Sequence, residues 1–243
     1  MRNIKAQNYV NSGMSIIFFL ITVAYLIFLT ATVAIYGYNE SFLLLNNNHL
    51  NWLDWPMFII THLGDSLILT SILCLILIRK HPETVVNIII AVVITGLLGQ
   101  LLKQALFDGW DRPIRVFEGV TAIHTLPNYR LFHNSFPSGH SITVASAFTI
   151  LILNLKPKPL TQACIGLLIV IISYSRIYLG AHFPGDVLTG MLIGLIISYI
   201  LFFPINKLTG QRSYPQTFKT IMTIIAIVGL ITEVWLLRIY IPF

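Results

Sequence analysis

The chain has 243 residues, 56% of them hydrophobic and 10% charged, with a formal net charge of +6 and a mean hydropathy of +0.81. Soluble globular domains carry about 25% charged residues, so the composition excludes that class and points to an integral membrane protein built as one domain over 1–243. The positive charge does not indicate nucleic acid, because the basic residues lie at the ends of apolar segments, where membrane topology places them.

Seven segments approach the ~20 residues that cross a bilayer as a helix. The first, 14–36, is longer than the ~7–15-residue core of a signal peptide and is expected to stay as a membrane helix. An outer segment, 37–55, follows, with Asn46-Asn47-Asn48 and with Trp52 and Trp55 as interfacial anchors. The second helix, 56–78, holds His62 and Asp65 about two turns from its outer end. A bridging role between helices is expected for this pair ahead of a role in lipid entry. The third helix, 84–106, carries Lys103 near its end.

A loop over 107–137 comes next, and loops of ~30 residues are usually functional. It contains Arg112-Pro113, and also Arg115, His124, Arg130 and His133, which are expected to be solvated. The fourth helix, 139–155, opens at Phe136-Pro137-Ser138-Gly139-His140. Ser175-Arg176 lies in the fifth, 160–180, and His182-Phe183-Pro184-Gly185-Asp186 leads into the sixth, 186–204. A seventh segment, 219–239, has Glu233 and Arg238 near its end. The fold class is therefore all-α, a polytopic membrane bundle of six core helices plus a seventh at the C-terminus. Cys74 and Cys164 lie inside apolar runs and read as small buried hydrophobes, not as a disulfide or a metal pair.

Orientation follows from Lys and Arg. With the N-terminus in the cytoplasm, Arg2, Lys5, Arg79, Lys80, Lys156, Lys158, Lys207, Arg212 and Lys219 all fall inside. The six others are Lys103, Arg112, Arg115, Arg130, Arg176 and Arg238, three of which belong to a candidate site. That site then faces outward, on the periplasmic side if the membrane is a bacterial inner membrane.

The chemistry begins with His182 and Asp186. Four apart, they share a helical face, and Pro184 suits a first helical turn. The carboxylate can fix one imidazole nitrogen and leave the other as a nucleophile. A capped helix start beside an incidental histidine is the plainer alternative. Ser138 is a natural N-cap, and the N–H groups of Ser138, Gly139 and His140 at a helix start make an anion site. Gly139 permits close approach to a phosphate, and His140 can protonate a leaving oxygen; an ordinary Pro-Ser-Gly turn would look the same. Arg176, Arg112 and Lys103 can hold anionic oxygens, or snorkel to the interface.

These three stretches together resemble the signature motifs of the type-2 phosphatidic acid phosphatase superfamily, over about 57–204. The second and third match in full. The first has eight residues between Lys103 and Arg112, two more than is usual in the family. A nine-residue offset on a helix puts two side chains on opposite faces, so the helix must break after Lys103, and Asp108-Gly109 is the expected place.

The resemblance implies a membrane lipid phosphatase. His182 would attack phosphorus, Asp186 would orient it, and His140 would protonate the leaving group. Lys103, Arg112, Arg176, Ser138 and Gly139 would hold the phosphate. No metal or cofactor is implied. The implied partners are the bilayer and a lipid phosphate or diphosphate, such as undecaprenyl diphosphate, phosphatidylglycerol phosphate, phosphatidic acid or lipid A phosphate. A phosphotransferase using the same phosphohistidine is the second reading, and a non-enzymatic membrane protein the third.

Overall fold

A computed structural model describes residues 16–126 and 131–237, and these contain helices and no strand. The helices are α1 (Ile16–Tyr36), α2 (Tyr38–Asn46), α3 (Asp54–His62), α4 (Ser66–Leu77), α5 (Pro82–Ala105), α6 (Pro113–Val116), α7 (Gly139–Leu155), α8 (Pro159–Tyr178), α9 (Pro184–Thr209) and α10 (Gln216–Leu237). By length and composition α1, α5, α8, α9 and α10 can each cross a membrane. The apolar α7 is shorter, at 17 residues. Arg2, Lys5, Arg130 and Arg238 lie outside the described residues.

The second expected helix needs correction. In place of one span over 56–78, the chain breaks after His62 and resumes at Ser66, bent by 72°. Asp65 causes this locally: it caps α4, its carboxylate accepting the Leu67 N–H at 2.9 Å, a geometry that aspartate favours. Gly64 permits it sterically, because a Cβ there would stand 2.8 Å from Ile172 Cγ2 and 3.0 Å from His140 Cβ. His62 and Asp65 thus lie at a break between helices. The expected break after Lys103 is present: α5 ends at Ala105, and Gly109 turns the chain at φ +80°.

The core is centred on α7, buried without interruption from Ser141 to Ile152. Its widest contacts are with α9 and then α5. Gly190 and Gly194 make the α9 contact possible: a Cβ at Gly190 would sit 2.5 Å from the Ser138 carbonyl, and one at Gly194 2.6 Å from Ala145 Cβ. Small residues four apart let two membrane helices touch along their backbones. Ser198 Oγ donates to Ser146 Oγ at 2.6 Å across the same seam.

One end of the bundle is tied by side chains. Asn87 donates to Asn206 Oδ1 at 3.1 Å and to Asn154 Oδ1 at 3.4 Å, and Thr209 Oγ1 donates to Asn87 Oδ1 at 2.6 Å. Lys219 Nζ reaches the Arg79 carbonyl at this end, so the basic turns gather there. Lys103, Gly139 and Pro184 mark the opposite end. The last helix, α10, is attached more lightly, with Ala226 and Gly229 its buried residues. Cys74 is buried, but Cys164 is exposed on α8; in a bilayer that face meets lipid, so apolar context alone did not imply protein burial.

Candidate active site

The turn between α8 and α9 presents His182, and the first turn of α9 presents Asp186. Pro184 starts that helix, and the Asp186 side chain reaches back to accept the Phe183 N–H at 3.1 Å. Asp186 Oδ2 lies 3.2 Å from His182 Nδ1. The two side chains are 0% and 2% exposed. Arg112 Nη1 stands 3.4 Å from the other ring nitrogen, Nε2. A guanidinium only donates, so Nε2 is the acceptor and Nδ1 carries the proton toward the carboxylate. Burial lowers the His182 pKa well below its ordinary value, and the charges of Arg112, Arg176 and Lys103 and the His140 imidazole push it the same way. The ring is neutral, with its lone pair on Nε2.

The three cations come from separate elements and meet here. Arg176, 1% exposed in the last turn of α8, donates to Thr61 Oγ1 at 2.6 Å. Arg112 precedes α6 and donates to the carbonyls of His133 at 2.7 Å, Ala181 at 3.1 Å and Asn134 at 3.3 Å. Lys103 Nζ donates to the same Asn134 carbonyl at 2.7 Å. The loop's two arms explain this convergence: Arg112 N–H bonds to the Phe132 carbonyl and Ser135 N–H to the Trp110 carbonyl, folding residues 132–135 back over 110–112. The longer spacing between Lys103 and Arg112 is absorbed in the turn at Gly109. Three cations therefore bear on His182, which Asp186 holds at Nδ1.

Ser138 caps α7, its Oγ accepting the Ser141 N–H at 3.5 Å, and its own N–H donates to the Asp186 carbonyl at 3.0 Å. The motif turn is thus pinned to the start of α9. The next two N–H groups, of Gly139 and His140, have no acceptor within the helix by position. A Cβ built on Gly139 would meet no atom within 4 Å. Packing does not require glycine there; the space in front of it is open. Gly64 abuts His140 from behind, so the bend between α3 and α4 supports that imidazole.

Sequence motifs did not reveal several residues of the site. Tyr38, at the start of α2, donates to Asp186 Oδ1, and Ser135 donates to Oδ2. Burial and the neighbouring carboxylate raise the Tyr38 pKa and keep its proton in place. Asn46, fully buried, ties α2 to this end through the carbonyls of Ile177, Tyr178 and His124, and accepts the His124 N–H. The one advance signal was a run of asparagines in an outer segment. His124 is not a solvated loop residue as expected: it stacks on His49 at 3.9 Å and pairs with Asp54 at 3.0 Å. Arg115 and His133 do face solvent, paired with Glu118 and Asp111.

The family model of the PAP2 superfamily matches residues 84–210. The chain is 30% identical to an undecaprenyl-diphosphatase of Sulfolobus acidocaldarius over 68% of its length and 77% of the relative's. It is 29% identical to phosphatidylglycerophosphatase B of Bacillus subtilis over 62% of this chain and 74% of that one. Among solved structures, Aquifex aeolicus LpxE matches with a TM-score of 0.59 and 32% identity, covering 67% of this chain and 93% of the other.

Proposed function

Since the chain belongs to the PAP2 superfamily and is a membrane lipid phosphatase, we propose that it hydrolyses a lipid phosphate or diphosphate at the outer leaflet through a phosphohistidine on His182. One observation carries this reading. His182 is held at Nδ1 by Asp186, while its Nε2 points at a guanidinium.

The steps follow from those atoms. An incoming phosphate draws Arg112 off Nε2, and the guanidinium exchanges a nitrogen lone pair for phosphate oxygens, a stronger charge-assisted partner. Arg176, Lys103 and the N–H groups of Gly139 and His140 bind the remaining oxygens, while Ser138 fixes the turn. Nε2 attacks phosphorus and the bond to the leaving oxygen breaks. His140, which takes up a proton as the phosphate's negative charge enters, gives it to that oxygen. Asp186 balances the imidazolium charge that develops on His182. Water then attacks the phosphohistidine, returning a proton to His140 and releasing phosphate. Fixed donors aimed at developing charge supply the catalysis.

The undecaprenyl-diphosphatase and phosphatidylglycerophosphatase relatives support a polyprenyl diphosphate or a glycerophospholipid phosphate as substrate. The chain acts as one domain. The bent pair and α7 each count as a pass, which gives six core passes with α10 as a seventh. With the N-terminus in the cytoplasm, the asparagine knot and the basic turns lie inside, in a bacterial inner membrane, and the site faces out.

Phosphate release by the detergent-solubilised full chain, in EDTA, against a panel of lipid phosphates tests the reading. Release that disappears in His182→Ala is expected. Substantial residual turnover in that variant would remove His182 as nucleophile. Release only after an acceptor lipid is added would favour a phosphotransferase.

A further inference from the structure

A groove of about 690 Å³ starts at Lys103, Gly139 and His140 and runs down the bundle between α5 and α10, with α4 and α7 behind it. Its upper end is the phosphate end of the site. Below, the walls are mainly apolar, with Val93 and Leu97 from α5 and Met222 and Ile225 from α10, and Thr70 and Ser71 of α4 lie among them. Its rim faces outward: Val93 is 52% exposed, Leu97 66% and Ile225 55%. In a bilayer those residues meet hydrocarbon, so the groove opens sideways into lipid. A chain can enter it without leaving an apolar medium.

The α10 wall lies beyond the segment that matches the family, which ends at residue 210. It rests on α4 through a narrow seam. Gly229 crosses at Ser71, where a Cβ would come within 3.0 Å of the hydroxyl, and Cys74 Sγ approaches the Met222 carbonyl at 3.6 Å.

We propose that α10, which adds a wall to this groove from outside the family-matched segment, selects among lipid substrates by their hydrocarbon chain. This rests on the hydrolase reading above. The argument is continuity and complementarity. A cation, a helix start and an imidazole meet the phosphate at one end, and an apolar trough of matching direction continues from them into the membrane. A lipid held there has its headgroup against Lys103 and its chain against Ile225. Chains too bulky for the gap between α5 and α10 are rejected by Ile225 and Val93 across the trough.

The test compares the full-length wild type with Ile225→Trp and Val93→Trp, which fill the trough from opposite walls at exposed positions. Ile224→Trp, on α10 but outside the groove and 55% exposed, is the control. Each is assayed on a long-chain lipid phosphate and on a water-soluble analogue with the same headgroup and a chain of a few carbons. The ratio of kcat/KM, long over short, is expected to fall by about tenfold or more in both groove variants and to hold in Ile224→Trp. An unchanged ratio would mean that bilayer lipid, not substrate, fills the groove, and overturns the proposal. An equal fall in Ile224→Trp also overturns it, since the effect would then belong to the helix and not to the trough. Wild type that releases no phosphate from either compound removes the hydrolase reading, and the proposal with it.

Discussion

The Tyr38 hydroxyl donates its hydrogen bond to Asp186 Oδ1, across 148 positions of sequence. The carboxylate that orients His182 is therefore itself oriented from α2, by a residue outside the family-matched segment. Ser135 holds the other oxygen. Asp186 thus accepts from a phenol, a hydroxyl, a backbone N–H and the imidazole, and each of these bonds restricts where the imidazole can point.

Tyr38→Phe removes one donor to a charged acceptor, worth about 1.5–3 kcal/mol. The ring stays stacked on Phe183, 4.5 Å away, so the fold should hold. We expect kcat to fall by about 10–100-fold with KM little changed. Steady-state kinetics beside a thermal melt separate this from a folding defect, and a full wild-type kcat would show that Asp186 needs no help from α2.

Asp186→Asn replaces an acceptor with a group that can donate to Nδ1. The imidazole then carries its proton on Nε2, the atom proposed to attack. A loss of about 10³–10⁴-fold in kcat is expected. Single-turnover measurement of phosphoenzyme formation reads it directly, and a near-wild-type rate would reduce Asp186 to a helix cap.

Acid should affect this protein late in catalysis and early in stability. Attack needs neutral His182, whose pKa is lowered by burial first and by Arg112, Arg176 and Lys103 next. The acid limb due to this group in kcat/KM therefore lies below the ordinary imidazole value of about 6.5. The unfolded chain binds that proton more readily, so the stabilisation is complete above about pH 6.5 and is lost as pH falls from there toward the folded value. Melting temperature against pH should begin to drop before activity does.

Gly139→Ala tests the open space at the start of α7. No atom lies within 4 Å of the added methyl, so the melting temperature should not fall. The methyl does occupy the phosphate's approach, and a rise in KM with a lower kcat is expected. Unchanged kinetics would place the phosphate elsewhere.

Lys103 and Arg115 make a paired test of the longer first motif. Lys103 is nearly buried and shares the Asn134 carbonyl with Arg112, whereas Arg115 pairs with Glu118 in solvent. Lys103→Met should lower kcat/KM by about tenfold or more, in line with loss of a charge-assisted bond. Arg115→Ala should be nearly silent. The reverse result would mean that the two extra residues have shifted the motif's cation.

Residue spacing made much of this legible in advance. Period and hydropathy give the helices, and a nine-residue offset on a helix forces the break after Lys103. Pairing at i and i+4 gives His182 with Asp186. What the sequence hid is long-range: Tyr38, Ser135 and Thr61 carry no local pattern, and their partners lie 51 to 148 positions away. The bend at Gly64 escaped for a different reason. Hydropathy reads straight through residues 56–78, whereas the turn is made by the Asp65 cap and permitted by the close approach of Gly64 to His140 and Ile172.

Lys103 and Arg112 come from separate elements and reach the same Asn134 carbonyl. Like charges held that close repel, so an anion seated between them eases the repulsion as well as making its own bonds. Inorganic phosphate added to the detergent-solubilised chain should therefore raise its melting temperature and compete with the lipid.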